Sequence, residues 1–444
     1  MTPKTPTKSK LSFDCQPFRA WRYNTQKVKM ADVIAPPYDV ISPEKQDKFY
    51  EKSPYNVIRL ILNKKEAGDT ETSNNYTRAR DFFHSWQKKS VLIREDEPCF
   101  YVYRQTFKDP LDGKQKNRFA LLGRVRLQPF ENGVIVPHEK TLRGPKEDRM
   151  KLIRTVKTNL SPIFGLFKDD GYEVRSLIQD PINSTPIFEA EDEDAIVHTL
   201  WGISDVDIVS KLHKTMEAKK VYIADGHHRY ETALEYARQF REETGTSPNV
   251  IMPYDYVYMA LVSFDDPGFI VLPTHRIVSD LGMDDREAVR KLQKYFKVEQ
   301  ASIQQIKEMT ESPSGKNMTI GLTLRDEGSF MLTMIDKDNA RQGMPAGKPA
   351  VWYDLNVNVL GHLIFAGVLG IPESKWESLL KFEHTVDGTV SQLEKTGAQA
   401  AFYLQPPKVD MLEKMGAVNE RMPQKSTYFY PKLATGLVFH SHND

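Results

Sequence analysis

Cysteine is nearly absent. The chain of 444 residues holds two, Cys15 and Cys99, which excludes a disulfide scaffold and fits a reducing compartment. Neither lies near a histidine-rich motif, so thiol catalysis has no support. An excess of charge of one sign is also missing. Sixty-one Lys plus Arg against sixty Asp plus Glu leave a formal net charge of +1, so the molecule as a whole carries no field to gather DNA, RNA or an acidic membrane. Any anion must be held locally. Long apolar runs are lacking too. The most apolar stretches, Tyr256–Phe264 and Leu360–Leu369, fall well short of the roughly 20 residues of a bilayer span. The basic N-terminus leads into Ser12-Phe13-Asp14 and not into an apolar segment. Residues 1–12 are therefore expected to be a disordered tail, and the protein to be cytoplasmic. The phosphate-binding loop with spaced glycines, the GxGxxG dinucleotide fingerprint and the GxSxG nucleophile elbow are all absent.

What remains is an ordinary folding mixture, 40% hydrophobic and 27% charged, which rules out a wholly disordered chain. A helix is expected over Asn75–Trp86, where apolar residues recur at helical spacing, and a hairpin from 99–107 and 118–130 around a polar turn. YNVIRLIL (55–62) reads as a buried strand. Val221 to Asp225 reads as a strand running straight into a helix whose apolar face carries Tyr230, Ala233, Leu234, Ala237 and Phe240. FIVLPTHRIV (269–278) and STYFYPKLATGLVFH (426–440) read as further strands. The fold class expected is α+β, with mixed, largely antiparallel sheets and flanking helices. Two domains are expected, 13–280 carrying the site and 281–444, with the last strand packing back on the first.

The densest chemistry is at Tyr222–Glu231. The strand ends at Asp225, Gly226 permits a tight turn, and His227, His228 and Arg229 open the helix. A helix N-terminus offers unpaired N–H groups and partial positive charge, so Gly226, His228 and Arg229 make a candidate phosphate pocket. Asp225 and His227 are candidate catalytic groups. Residues satisfied within the core are the plain alternative. A metal reading competes, since His227 and Glu231 lie four apart on one helical face and His138, His275 or Asp225 would complete a three-ligand site.

In Pro137–Thr141, His138 beside Glu139 is a candidate acid–base pair, and Lys140 with Arg149 one segment on are candidates for holding an anion. The alternative there is a solvated charged loop. The two prolines of APPYDVIS (35–42) stiffen a corner that presents Tyr38 and Asp39. Arg59, inside an apolar run, needs a buried carboxylate or a bound anion as partner. His275 and Arg276 after Pro273-Thr274, and Lys425 after Pro423-Gln424, lie at strand ends where ligands are commonly met. Asp39, Arg59, His275, Arg276 and Lys425 are thus candidate substrate-binding residues.

The segments FRAWRY, APPYDVIS, PYNVIRL, PHEKT, LSPIFGLF, LWGISD, YIADGHHRYETAL, ALVSFDDPGF, LPTHRIV and MPQKSTYFYPKLATGLV, in this order, resemble the DUF1015 family, cytosolic proteins of undefined function. The resemblance runs from about Phe13 to Val438. The strand-Gly-x-His-Arg-Tyr-helix segment at Gly226–Tyr230 is in addition similar to the phosphate-binding turn of the ParB/sulfiredoxin superfamily, which includes free-serine kinases. That similarity implies nucleotide phosphates on His228 and Arg229. Sulfiredoxins carry a reactive cysteine where this chain has His227, so sulfinic acid reduction is not implied. ParB-type DNA binding needs a helix-turn-helix and a basic surface that the sequence lacks.

The resulting expectation is a phosphotransferase that binds ADP or ATP, with Mg2+ carried by the nucleotide, and phosphorylates a small hydroxylated metabolite such as free serine. Neither nucleic acid nor membrane is an expected partner. The other readings are a metal-dependent hydrolase of phosphorylated metabolites, using His138, His227, His275 and Glu231, and a non-catalytic nucleotide or metabolite sensor.

Overall fold

The computed structural model describes residues 12–139, 143–311, 318–408, 410–418, 420–423 and 425–443. The expected tail, except Ser12, and Lys140 lie outside the described residues. The architecture is α+β, with two large sheets, largely antiparallel, flanked by helices.

The first sheet has nine strands. Its path runs Ile135–Val136, Val221–Asp225, Ile163–Phe167, Tyr256–Ser263, Gln115–Arg126, Phe100–Lys108, Val197–Ile203 and Phe188–Glu191, with Cys15–Gln16 paired to Gln115–Arg126. Among the described residues two of its pairings are parallel, Val221–Asp225 with Ile135–Val136 and Tyr256–Ser263 with Ile163–Phe167. The second sheet is antiparallel throughout, in the order Phe296–Gln300, Gly328–Met334, Thr319–Leu324, Ala400–Tyr403, His275–Val278 and Leu380–Glu383. One apolar cluster extends from Phe18 and Tyr101 through Phe164 and Phe429 to Phe402 and thus joins the two sheets. A second cluster lies under the helices Val206–Glu217 and His227–Thr244.

Three expected strands are corrected. The run at 55–62 contains a single helical turn, Ile58–Ile61. The Asn56 side chain accepts from the Ile58 N–H and donates to the carbonyls of Asp32 and Ile34, which starts a turn instead of a ladder. A short apolar run carries no periodicity to separate the two outcomes. The 269–278 run breaks at Pro273-Thr274 into Ile270–Leu272, which pairs with Tyr428–Tyr430, and His275–Val278, which joins the second sheet. The 426–440 run is strand only at Tyr428–Tyr430, the bond to Pro431 being cis, and at His440. Its His440–Ser441 end pairs with Thr158–Asn159. Among the described residues no single helix is long and apolar enough to cross a membrane.

Candidate functional site

The Val221–Asp225 strand is largely buried and ends with Asp225 opposite Phe164, at the start of the antiparallel strand Ile163–Phe167. Gly226 then turns the chain at φ +95°, and the helix His227–Thr244 begins. An L side chain is strained at that φ, and a Cβ there would stand 3.0 Å from the Arg229 guanidinium. Glycine at this position therefore sets both the turn and the place of Arg229. The arginine folds back over the turn. Its Nη2 donates to Asp225 Oδ2 at 2.7 Å, and its Nη1 donates to the Pro162 carbonyl.

This turn faces a cleft of about 640 Å³. The first sheet contributes Asp225–Arg229 and, from its loops, Asp39 and Glu139. The second sheet contributes Lys381–His384, and the C-terminal segment adds Lys425, Thr427, Tyr428 and Lys432. Of the residues predicted from sequence, Asp39, Glu139, Asp225, Gly226, His227, His228, Arg229 and Lys425 line this one cleft.

Three more stand behind its wall. His138 is buried, and its Nδ1–H donates to the Ile223 carbonyl, so the Nε2 lone pair accepts from the Thr427 hydroxyl at 3.1 Å. Burial pushes this imidazole down to about 4. Its backbone N–H donates to His227 Nε2 at 3.2 Å, and the two rings meet edge to face. Burial likewise holds His227 well below the ordinary histidine range. Arg276 is buried and donates to the carbonyls of Thr274 and Lys425, so it shapes the loop that presents Lys425. His275 is buried against Tyr403 and accepts from the Leu404 N–H.

The others lie elsewhere. Arg149 pairs with Asp148, donates to the Ile61 carbonyl and lies 3.9 Å over the Tyr38 ring, outside the cleft. Arg59 sits 4.1 Å over the Tyr50 ring and donates to the Tyr50 carbonyl, so the partner it needed is neither Asp39 nor the cleft. Glu231 takes Lys146 Nζ at 2.9 Å and faces Arg421. His227 and Glu231 are thus engaged in different directions. Among the described residues no group of three His, Cys, Asp or Glu side chains is arranged to hold a metal ion.

Lys432 is the residue that the sequence reading missed. Its Nζ lies 2.7 Å from Asp225 Oδ1 and 4.7 Å from the centre of the Tyr428 ring. Burial works against the Asp225 charge, but Lys432 and Arg229 outweigh it and hold the carboxyl well below the usual range. Burial works equally against the ammonium, which Asp225 keeps charged. The test applied to Arg59, that a cation within an apolar run needs a partner, would have singled out Lys432 as well. Tyr428 stacks on His384 with centroids 3.7 Å apart, and the His384 Nδ1–H donates to the Pro273 carbonyl. With Tyr38 and Phe382 in the same lining, the cleft has an aromatic side. Glu139 behaves unlike Asp225. Burial, helped by the Asp225 charge and opposed by Lys425, raises its carboxyl to about 7.

The fold and the cleft define an α+β protein with a ligand-sized site built from a helix start, clustered cations and aromatic rings. The family profile described as "Protein of unknown function (DUF1015)" matches residues 15–358, and the chain belongs to that family. No curated protein matches it. Among solved structures, a free serine kinase variant in complex with ADP aligns at 12% identity over 70% of this chain and 87% of that one, with a TM-score of 0.34. A conserved hypothetical protein from Pyrococcus furiosus aligns at 13% identity over 71% and 92%, TM-score 0.32. SbnI from Staphylococcus aureus, truncated at its C-terminus, aligns at 12% identity over 71% and 85%, TM-score 0.33. Likeness at this level says nothing about chemistry, which must rest on the cleft itself.

Proposed function

We propose that the cleft binds ADP or ATP and transfers its terminal phosphoryl group to a small hydroxylated acceptor. The observation that carries this reading is the meeting of three things in one cleft: the Gly226 turn with its helix start, the cations Arg229, Lys425 and Lys432, and a carboxyl raised to about 7 at Glu139. The first-turn N–H groups, His228, Arg229, Lys425 and Lys432 hold the phosphates, and the Tyr428–His384 stack with Phe382 offers a face to the base. Mg2+ would arrive with the nucleotide and supply charge neutralisation at the phosphates.

Catalysis of this kind is mostly positioning and electrostatics. The acceptor hydroxyl oxygen attacks the terminal phosphorus. The bond from that phosphorus to the bridging oxygen breaks, its electron pair leaves with the nucleotide, and the hydroxyl proton passes to Glu139. A base is most effective when its pKa lies near the working pH, which favours Glu139. Asp225, held ionised between two cations, keeps Arg229 and Lys432 in place. His138 and His227 act by positioning, His138 through Thr427. The reading places the site between the two large sheets, the second of which takes in His275–Val278 from within 13–280.

Calorimetric titration with ADP and ATP tests it. Micromolar binding is expected, with a loss of at least tenfold in Arg229→Ala and in His228→Ala. An Arg229→Ala protein that is folded and binds as tightly as the parent ends this reading.

A further inference from the structure

A second cavity of about 670 Å³ adjoins the cleft, and the two share Tyr38 and Pro145 in their linings. Tyr38 lines both and is held in place. Two prolines precede it, and its ring carries the Arg149 guanidinium at 3.9 Å. Arg149 belongs to the lining of the second cavity and Arg229 to that of the cleft, and the Tyr38 phenol lies within electrostatic reach of both.

We propose that this second chamber is the acceptor site, and that the acceptor is a hydroxylated carboxylic acid larger than an amino acid. The inference rests on the phosphoryl-transfer reading of the cleft. The two reactants of such a transfer must approach to about 3–3.5 Å, so the acceptor has to sit in a space continuous with the phosphates. The chamber borders the cleft at Tyr38 and Pro145, and its volume falls in the range of roughly 300–1,000 Å³ that accommodates extended small molecules.

Another cavity also touches the cleft, through Val40, Tyr428 and Lys432, but it measures about 150 Å³ and is lined by Asp192, Glu193 and Asp194. Lys45, Lys52 and Lys432 balance those acids, so this smaller space has neither the volume nor the positive balance for an extended acid.

The lining of the chamber specifies the rest. Its charges are Lys64, Lys65 and Arg149 against Asp47 and Asp148, a balance of one positive charge. Both acids are already engaged. Asp47 pairs with Lys64, and Asp148 accepts from the Tyr76 hydroxyl at 2.7 Å and pairs with Arg149. The exposed Lys65 ammonium is thus the natural partner of one carboxylate on the acceptor. Amides from Gln46, Asn63 and Asn75 line the same space. Asn63 is held between the Arg59 carbonyl and Arg78, while Gln46, whose Nε2 donates to the Leu62 carbonyl, keeps its Oε1 to accept from a hydroxyl. Leu60–Leu62 form an apolar strip for the carbon chain.

The test measures acceptor binding without nucleotide, so that it stands apart from the nucleotide titration. Gluconate and shorter and longer hydroxylated monocarboxylates are titrated into the full chain, with the neutral polyol glucitol and free serine as controls. Sub-millimolar binding of at least one hydroxy acid, tighter than glucitol and serine, is expected. Lys65→Glu reverses one charge of the lining and should weaken that binding about tenfold, with its melting temperature and nucleotide affinity unchanged. Lys65→Arg should restore it. If no hydroxy acid binds, if serine or glucitol binds as well, or if Lys65→Glu leaves the affinity as it was, the proposal is overturned. Loss of nucleotide binding alone would instead overturn the reading of the cleft.

Discussion

Replacing Lys432 by methionine keeps the length of the side chain and removes its ammonium. In the parent, Asp225 accepts from Lys432 at 2.7 Å on one oxygen and from Arg229 at 2.7 Å on the other, and the three side chains are only 14–17% exposed. Removing one partner from a buried pair costs about 3–5 kcal/mol, most of it the cost of an uncompensated charge. Arg229 still holds the other oxygen, so the lower end, about 3 kcal/mol, is expected. Over a cooperative unit of 150–250 residues this is roughly 6–12 °C in melting temperature.

Asp225→Asn alone should cost a comparable amount, because two cations then face a neutral amide. The double variant Asp225→Asn/Lys432→Met should be less destabilised than the sum of the singles by about 2 kcal/mol, as expected for groups in contact. The folded-state pKa of Asp225 is lowered, so its contribution is present above the ordinary carboxylate value of about 3.9 and is lost as pH falls below it. The gap between parent and Lys432→Met should narrow accordingly toward pH 3. Thermal melts by circular dichroism, with calorimetry as a check on cooperativity, measure all of this. Singles that add to within about 0.5 kcal/mol, or a Lys432→Met cost below about 1 kcal/mol, would refute the coupling.

Two further outcomes follow from the same geometry. Gly226→Ala places a Cβ at φ +95° and 3.0 Å from Arg229; a loss of about 1–2 kcal/mol, with nucleotide affinity reduced in proportion to the displaced arginine, would be read by melting and titration, and an unchanged protein would contradict it. For Glu139, whose carboxyl is raised to about 7, the basic form exists above that value. Turnover should therefore rise with pH through about 7 and level off, while Glu139→Gln should lose the rising limb and about 10²–10⁴ in kcat. A pH profile identical in the two proteins would remove Glu139 as base.

Much of the site was readable because it is local. Asp225, Gly226, His227, His228 and Arg229 are consecutive, and a strand ending in glycine before a helix brings such residues to one place whatever surrounds them. Residues set far apart were read less well. Arg59 was recognised as a cation that needs a partner and Arg149 was read as an anion holder, but Arg59 found the ring and carbonyl of nearby Tyr50, and Arg149 the Tyr38 ring and the Ile61 carbonyl of a distant segment. His275 and Arg276 lie at a strand end as expected, yet the second sheet buries both. The 55–62 run became a helical turn because Asn56 capped it, a side-chain bond that an apolar pattern does not reveal.

By itself the sequence determined the α+β class, the hairpins and the strand-turn-helix at Asp225–Arg229, since these follow from periodicity of 2 and 3.6 residues and from glycine at a left-handed φ. Tertiary structure decided which charges oppose each other. Lys432 reaches Asp225 across 207 positions, His384 stacks on Tyr428, and Glu139 comes to lie where burial and Asp225 raise it while Lys425 restrains it. A pKa and an ion pair depend on distance and dielectric, and neither quantity exists until the two sheets and the C-terminal segment have closed around the cleft.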